Sequence, residues 1–210
     1  MTACNEQDAL PESPEAVMTW RKTERRRLID GRMELANETR LDHAAAIAAT
    51  LEELIESADG LTVSAYWPIR GEPDLRPLTR WIIANGGRFA LPVVIARAQP
   101  LIFRTWRPGE AMERGVWNIP VPSNGPEVIP DVVISPLVGF DAGCFRLGYG
   151  GGFYDRTLAS LKRRPRVIGV GYEMARMATI HPQTHDIAMD VIVTERGAVL
   201  TRKDADVRQQ

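Results

Sequence analysis

Cysteine is scarce: Cys4 and Cys144 are the only two in 210 residues. Two thiols cannot build a disulfide framework, and thiols this sparse suit a reducing compartment. No apolar run approaches the roughly 20 residues that span a bilayer. Residues 1–14 are mildly acidic and lack the apolar core of a signal peptide. A disulfide scaffold and a membrane protein are set aside, and the expected location is the cytoplasm. An excess of one charge is missing too. The 26 Lys and Arg face 27 Asp and Glu, a formal net charge of −1. Such a chain has no global basic field to hold nucleic acid. Internal repeats and low-complexity segments are absent as well.

What is present is an ordinary globular composition, 44% hydrophobic and 25% charged. A chain of this length suits one domain with its own core. Residues 1–14 read as a disordered leader, 15–202 as a single α/β domain and 203–210 as a frayed polar tail. Ser13-Pro14-Glu15 is a helix start: a capping side chain, proline in the first turn, then an acid near the positive dipole end. That helix carries Arg21, Lys22, Arg25, Arg26, Arg27 and Arg32. A second, from about 39, sets Leu41, Ala44, Ile47, Leu51, Leu54 and Ile55 on one stripe and ends near Asp59-Gly60.

Further on, a strand over 61–67 is stopped by Pro68, and a short helix covers 74–85. Strands follow at 89–94 and 101–106. Residues 107–130, rich in proline and glycine, read as a long loop, which in a compact domain tends to be functional. A buried strand at 132–135 leads into a glycine-rich stretch and a helix over 154–163. Strands at 167–170 and 191–194 follow, with 198–200 as an edge. Strands alternating with helices predict a largely parallel sheet flanked by helices.

The stretch that carries chemistry begins at Asp141 and runs through Arg146-Leu147-Gly148-Tyr149-Gly150-Gly151-Gly152-Phe153-Tyr154-Asp155-Arg156. It lies between a buried strand and a helix, where α/β folds place ligands. Glycines let the backbone approach an anion and point N–H groups at it, and the helix start adds its dipole. Arg146 offers a forked contact to phosphate oxygens, and Asp155 a hard oxygen for magnesium. No Gly-Lys-Ser/Thr follows, so this is no P-loop, and Phe153 stands where the dinucleotide fingerprint needs its last glycine. The plain alternative is a glycine turn that only reverses the chain. Arginine, aromatic rings and an aspartate gathered around it favour phosphate binding.

That run resembles the signature of the 5-formyltetrahydrofolate cyclo-ligase family, also called 5,10-methenyltetrahydrofolate synthetases. Other pieces stand in the family's order: Tyr66-Trp67-Pro68 with Gly71-Glu72, then Trp117-Asn118-Ile119-Pro120-Val121-Pro122, then His185-Asp186 followed by Asp190-Val191-Ile192-Val193-Thr194. The basic pair Lys22 and Arg26 falls where the family begins. The resemblance covers roughly 21–195 and implies a single domain related to sugar-phosphate isomerases and CoA transferases. It implies conversion of 5-formyltetrahydrofolate to 5,10-methenyltetrahydrofolate with ATP and magnesium, releasing ADP and phosphate. It also implies that the formyl oxygen attacks the γ-phosphate and that N10 then closes the ring.

The resemblance also distributes roles. Lys22, Arg26, Arg146, Leu147, Gly148, Tyr149, Gly150, Gly151, Gly152, Phe153 and Tyr154 are implied to meet ATP, with Arg146 stabilising the transferred charge. Trp67 and Glu72 are implied to hold the reduced folate together with Tyr149, Gly150, Gly151, Gly152 and Phe153. Asp155 and Asp186 are implied to bind Mg2+. Each has a plainer reading: a solvated basic helix face for Lys22 and Arg26, an exposed loop acid for Glu72, core packing for Trp67. In a regular strand only one of Tyr66 and Trp67 faces the pocket, and Trp67 is the choice. His181 and His185, four apart, suggest zinc, but Pro182 interrupts a helix there and no third ligand is apparent. Cys144 receives no role. The expected partners are ATP and a reduced folate, without nucleic acid or membrane, in a monomer with a dimer left open. The alternatives are a relative acting on another formyl or amide substrate, and an RNA-binding protein using the basic helix.

Overall fold

The computed structural model describes residues 13–202. The expected leader, save Ser13 and Pro14, and the expected tail at 203–210 lie outside the described residues. Ser13 caps α1 (Pro14–Met33), its hydroxyl accepting from Ala16 N–H at 3.1 Å. The cap satisfies an N–H that has no helical partner, and Glu15 faces the dipole's positive end. Helix α2 (Asn37–Ile55) buries Ala44, Ile47, Leu51 and Ile55, an apolar stripe at helical spacing.

The chain continues through β1 (Thr62–Ser64), α3 (Arg76–Ala84), β2 (Arg88–Val93) and β3 (Ile102–Thr105). Next come β4 (Met112–Arg114), β5 (Pro120–Pro122), β6 (Glu127–Val128), β7 (Val132–Pro136), β8 (Gly139–Phe140) and β9 (Arg146–Leu147). Helix α4 (Phe153–Ser160), β10 (Arg166–Val170), β11 (Val191–Thr194) and β12 (Gly197–Thr201) complete it. Eight strands form one sheet in the order β12-β11-β10-β7-β1-β2-β3-β6. Strands β11, β10, β7, β1 and β2 run parallel, and antiparallel strands close both edges.

Successive strand residues point to opposite faces. Val132, Ile134, Ile168, Val191 and Val193 join α2 and α3 in one core. Val167 and Ile192 pack on the other face with Leu28 of α1 and Leu158 of α4. With both faces covered, β7, β10 and β11 carry apolar runs, whereas the central β1 buries Thr62 and Ser64 beside Val63. Ile134 is fully buried, so its truncation to alanine costs about 2–5 kcal/mol.

Two expectations are corrected. The strand expected over 61–67 ends at Ser64. Beyond it the chain leaves the sheet for a turn, held by Tyr66 O–H on Pro73 O (3.0 Å) and Glu72 N–H on Ile69 O (3.0 Å). The loop expected over 107–130 contains the β4–β5 hairpin and β6, which pairs with β3. Prolines had marked it as irregular, but Pro120 and Pro122 sit in a two-stranded ribbon, where a missing N–H is tolerated on the free edge.

The connectivity sets the functional end. β1 passes the chain through α3 to β2 on one side, whereas β7 passes it to β10 and β11 on the other. The segments leaving the C-terminal ends of β1 and β7 therefore diverge, and the crevice between them is where open α/β sheets hold ligands. Among the described residues no helix is long and apolar enough to cross a membrane.

Candidate active site

The glycine segment is positioned first by backbone. β8 and β9 pair antiparallel, with Gly139 opposite Leu147 and Phe140 opposite Arg146. This hairpin was not expected, because two-residue strands leave no alternation to read. Buried Asp141 holds its turn: Oδ1 accepts from Gly143 N–H (3.0 Å) and Phe145 N–H (3.3 Å), and Oδ2 from Ile180 N–H (3.0 Å). The last bond ties the hairpin to the segment that leads to Asp186. Leu147 is buried in the core and brings only backbone to the site. Gly150 takes φ +90°, and a Cβ there would lie 3.2 Å from the guanidinium carbon of Arg25. Gly152 caps α4 without a side-chain hydrogen bond, so no capping side chain satisfies its first-turn N–H groups.

Two carboxylates flank this turn. Asp155 Oδ2 accepts from Arg146 Nη2 at 2.9 Å, and its Oδ1 from Ile187 N–H at 3.1 Å. The Arg146 guanidinium also lies over the Tyr154 ring, 5.4 Å from its centre. One residue before Ile187, Asp186 Oδ2 meets Arg21 Nη2 at 2.5 Å and Gln183 N–H at 2.7 Å. A single peptide thus links the two ion pairs. Both are largely buried, so removing one partner of either leaves an uncompensated charge, a loss of about 3–5 kcal/mol.

Among the described residues no three His, Cys, Asp or Glu gather as a metal cage. Magnesium needs no such cage, because it takes one or two carboxylates and completes its shell with water and phosphate oxygens. Each Asp155 oxygen carries one donor, and Asp186 Oδ1 has only long contacts, 3.5 Å from Arg21 Nη1 and 3.9 Å from His185 Nε2. Acceptor capacity remains on both carboxylates. The donor set fits a hard dication shared with a phosphate.

Glu72 faces the glycine segment from the other side of the crevice. It follows Arg70 and Gly71, both in left-handed backbone at φ +47° and +74°. Glu72 is 6% exposed; Oε2 accepts from Ile69 N–H at 2.9 Å and Oε1 from Tyr149 O–H at 2.8 Å. The Tyr149 oxygen accepts in turn from Arg32 Nη2 at 2.6 Å. Burial pushes the Glu72 carboxyl from 4.5 up to about 6, against the opposing pull of Ile69 N–H, Arg32, Tyr149 and Arg70. Burial, and then the nearby Glu72 charge, also raise the phenols of Tyr149 and Tyr154. The Tyr154 hydroxyl is buried with no hydrogen-bond partner among the described residues.

The expected N-terminal pair, Lys22 and Arg26, stands at the mouth of a cleft beside the glycine segment. Lys22 and Arg26 line this cleft of about 280 Å³ with Arg25, Arg70 and Tyr149. Both are exposed at its rim, and Arg26 reaches only Asp30 at 3.8 Å. The face of α1 turned inward carries Arg21, Arg25, Leu28 and Arg32, and Arg25 Nε donates to Gly148 O at 2.7 Å. The 21-25-28-32 spacing is a helical stripe. That signal was in the sequence, hidden by the surplus of neighbouring arginines.

Trp67 is half-buried, edge-on to Trp106 at 5.9 Å and under the Arg76 guanidinium at 5.2 Å. Tyr66 is in the core. Trp67 is therefore the more accessible of the two, but its contacts are those of packing. Phe153 meets Trp117 edge-on at 5.5 Å, so the β4–β5 hairpin touches the glycine segment. His181 packs edge-on against Trp20 at 4.6 Å, and its carbonyl accepts from Arg21 at 2.9 Å.

The fold and site define a class: an α/β protein that gathers arginines, carboxylates and a glycine turn at a sheet switch point, without a P-loop. Comparison with known proteins narrows it. The model of the 5-formyltetrahydrofolate cyclo-ligase family matches residues 17–195. The chain is 34% identical over 184 residues to the 5-formyltetrahydrofolate cyclo-ligase of Mycolicibacterium smegmatis, covering 83% of this chain and 94% of the relative. It is 32% identical over 140 residues to the enzyme of that name from Escherichia coli K12, covering 63% and 77%. The solved 5,10-methenyltetrahydrofolate synthetase of Aquifex aeolicus superimposes with a TM-score of 0.75 at 28% identity, covering 87% of this chain and 93% of that one. The Mycoplasma pneumoniae synthetase shares the fold, with a TM-score of 0.70 at 23% identity over 83% and 98%. The chain belongs to the 5-formyltetrahydrofolate cyclo-ligase family, and it is an enzyme.

Proposed function

We propose that this protein closes 5-formyltetrahydrofolate to 5,10-methenyltetrahydrofolate, using ATP with magnesium and releasing ADP and phosphate. The observation that carries the reading is the hydrogen bond between Tyr149 and Glu72. The segments leaving β1 and β7 touch across the switch point, so a folate anchor and a phosphate cradle share one crevice.

A formyl amide is a poor electrophile because its oxygen leaves badly. Attack of that oxygen on the γ-phosphorus expels ADP and makes the oxygen a phosphate leaving group. N10 then bonds to the formyl carbon, phosphate departs with the former formyl oxygen, and the N10 proton goes to solvent. The protein's task is to hold two anionic bodies in line and neutralise charge. Arg146 keeps N–H donors beyond those it gives to Asp155 and Met189, and these serve the transferred phosphoryl group. Asp155 and Asp186 would hold magnesium, which when bound neutralises charge on the ATP phosphates. Glycine-segment N–H groups receive phosphate oxygens, with Arg25 holding Gly148 from behind. Glu72 accepts from the amide and amine of the pterin.

The RNA-binding alternative is weakened, because Arg21, Arg25 and Arg32 turn into the protein and leave the exposed basic face of α1 to Lys22, Arg26 and Arg27. The test is the growth of methenyl-folate absorbance on adding 5-formyltetrahydrofolate. Product should form only with ATP and magnesium together. Equal product with magnesium chelated overturns the metal-nucleotide part. Turnover of another formyl amide, with none of this folate, moves the assignment to that substrate.

A further inference from the structure

We propose that Arg32 is a positioning residue for folate binding: through the Tyr149 hydroxyl it fixes Glu72 so that the carboxylate's free acceptors face the two-donor edge of the pterin. The inference rests on the folate reading above and adds to it a residue in contact with neither ligand.

Arg32 lies in the last turn of α1 and is 4% exposed. A buried guanidinium is costly unless a charge lies within reach. Among the described residues Arg32 makes no ion pair. Its hydrogen bonds go to Arg70 O (2.9 Å), Leu137 O (3.4 Å) and Tyr149 Oη (2.6 Å). The charge that answers it is Glu72, one phenol away. The donors all point the same way, guanidinium to phenol to carboxylate, and each bond polarises the next. Ile69 N–H holds the other carboxylate oxygen. One acceptor position on each oxygen is thereby filled and one is left, an arrangement suited to two parallel N–H donors.

The same guanidinium grips the Arg70 carbonyl and so sets the turn that delivers Glu72. Gly71 lies close against the same end of α1, since a Cβ there would lie 3.2 Å from Met33 Sδ and 3.3 Å from Arg32 Cγ. The other groups whose charge acts on or feels Glu72 are Arg70 of its own loop and the phenols of Tyr66, Tyr149, Tyr154 and Tyr172. Arg70 is exposed. Arg32 is therefore the one buried cation among them, and its removal leaves burial of Glu72 opposed mainly by hydrogen bonds.

The test follows the Glu72 carboxyl by carbon NMR across pH 4–8.5 in the ligand-free full chain, with calorimetric titration of 5-formyltetrahydrofolate and, separately, magnesium-ATP. In Arg32→Gln the Glu72 midpoint should rise from about 6 by roughly one pH unit, the scale of losing a nearby opposite charge. Folate affinity near pH 7 should fall about tenfold, with ATP affinity within twofold. Arg32→Lys should keep the midpoint near that of wild type yet lose part of the folate affinity, because an ammonium cannot reach the phenol and the carbonyl together. Tyr149→Phe should raise the midpoint and weaken folate. It also decides the matter if Arg32→Gln does not fold. An unmoved Glu72 midpoint in folded Arg32→Gln overturns the proposal, as does tighter folate binding by Tyr149→Phe, which would make the phenol a plug. If the wild type binds no reduced folate, the functional reading falls instead, and the carboxyl titration still judges the hold of Arg32 on Glu72.

Discussion

The two sides of the crevice handle carboxylates differently. On the glycine side, Asp155 and Asp186 meet guanidinium groups directly, at 2.9 and 2.5 Å. On the β1 side, Glu72 meets a backbone N–H and a phenol, and its nearest buried cation stands behind that phenol. Under the proposed function, that difference would suit two kinds of ligand. Arginines and carboxylates packed as pairs form a polar lattice that can open to a dication and phosphates, whose charges complement both partners. A carboxylate insulated from direct ion pairing keeps acceptors for neutral N–H donors, and carries the burial cost as a raised pKa.

The sharpest break in the comparison is Arg146→Ala. It removes a preorganised donor from the phosphoryl side, so the rate should fall by about two orders of magnitude or more while the KM for folate changes little. Wild-type turnover in a folded variant contradicts its role. Arg146→Lys should recover part of the loss, because an ammonium lacks the fork.

Next in size is a stability effect confined to the Glu72 side. Its folded pKa, about 6, lies above the ordinary 4.5, so between these values the folded state binds more protons than the unfolded. Stability contributed by this group is complete below about pH 4.5 and is lost as pH rises through about 6, by about 2 kcal/mol in all. Glu72→Gln abolishes that loss. Urea unfolding should show the variant gaining about 2 kcal/mol on wild type between pH 4 and pH 7.5. A difference that stays constant with pH would show that burial does not tax this carboxylate.

A smaller contrast tests the inward face of α1. Arg25→Ala frees the Gly148 carbonyl and should raise the KM for ATP about tenfold, the scale of one lost charged hydrogen bond. Lys22→Ala and Arg26→Ala, at the exposed rim, should change it less than about threefold each, as exposed charges usually do. The reverse order would make the outer pair the main contact to ATP.

Much of the fold was legible because it follows local rules. Ser13-Pro14 announced α1, the 44-47-51-55 stripe announced α2, and Val191–Thr194 read as a strand because the sheet buries both of its faces. The β8–β9 hairpin was not legible. Its strands are two residues long, and Asp141 holds them through a bond to Ile180, 39 positions away. Of the proposed site residues, Arg146 and Asp155 stood out by residue type beside the glycine turn, whereas Glu72 and Asp186 were reached only through the family resemblance. The link from Arg32 through Tyr149 to Glu72 was not legible. It joins positions 117 and 77 apart in sequence, and only the turn at Arg70-Gly71 brings them together. Lys22 and Arg26 stand four apart on α1, as Arg21 and Arg25 do, and helical spacing fixes such pairs but not which of them faces inward.

The central claim, that the two carboxylate settings hold two different ligands, is tested most directly by crossed calorimetric titration. Glu72→Gln keeps the shape but trades one acceptor for a donor. It should weaken 5-formyltetrahydrofolate by about 1–3 kcal/mol, roughly ten- to a hundredfold, with magnesium-ATP measured alone nearly unchanged. Asp155→Asn should do the opposite, weakening magnesium-ATP and leaving binary folate binding nearly intact. If both variants stay folded and each loses both ligands, the crevice is one undivided site and the account is wrong.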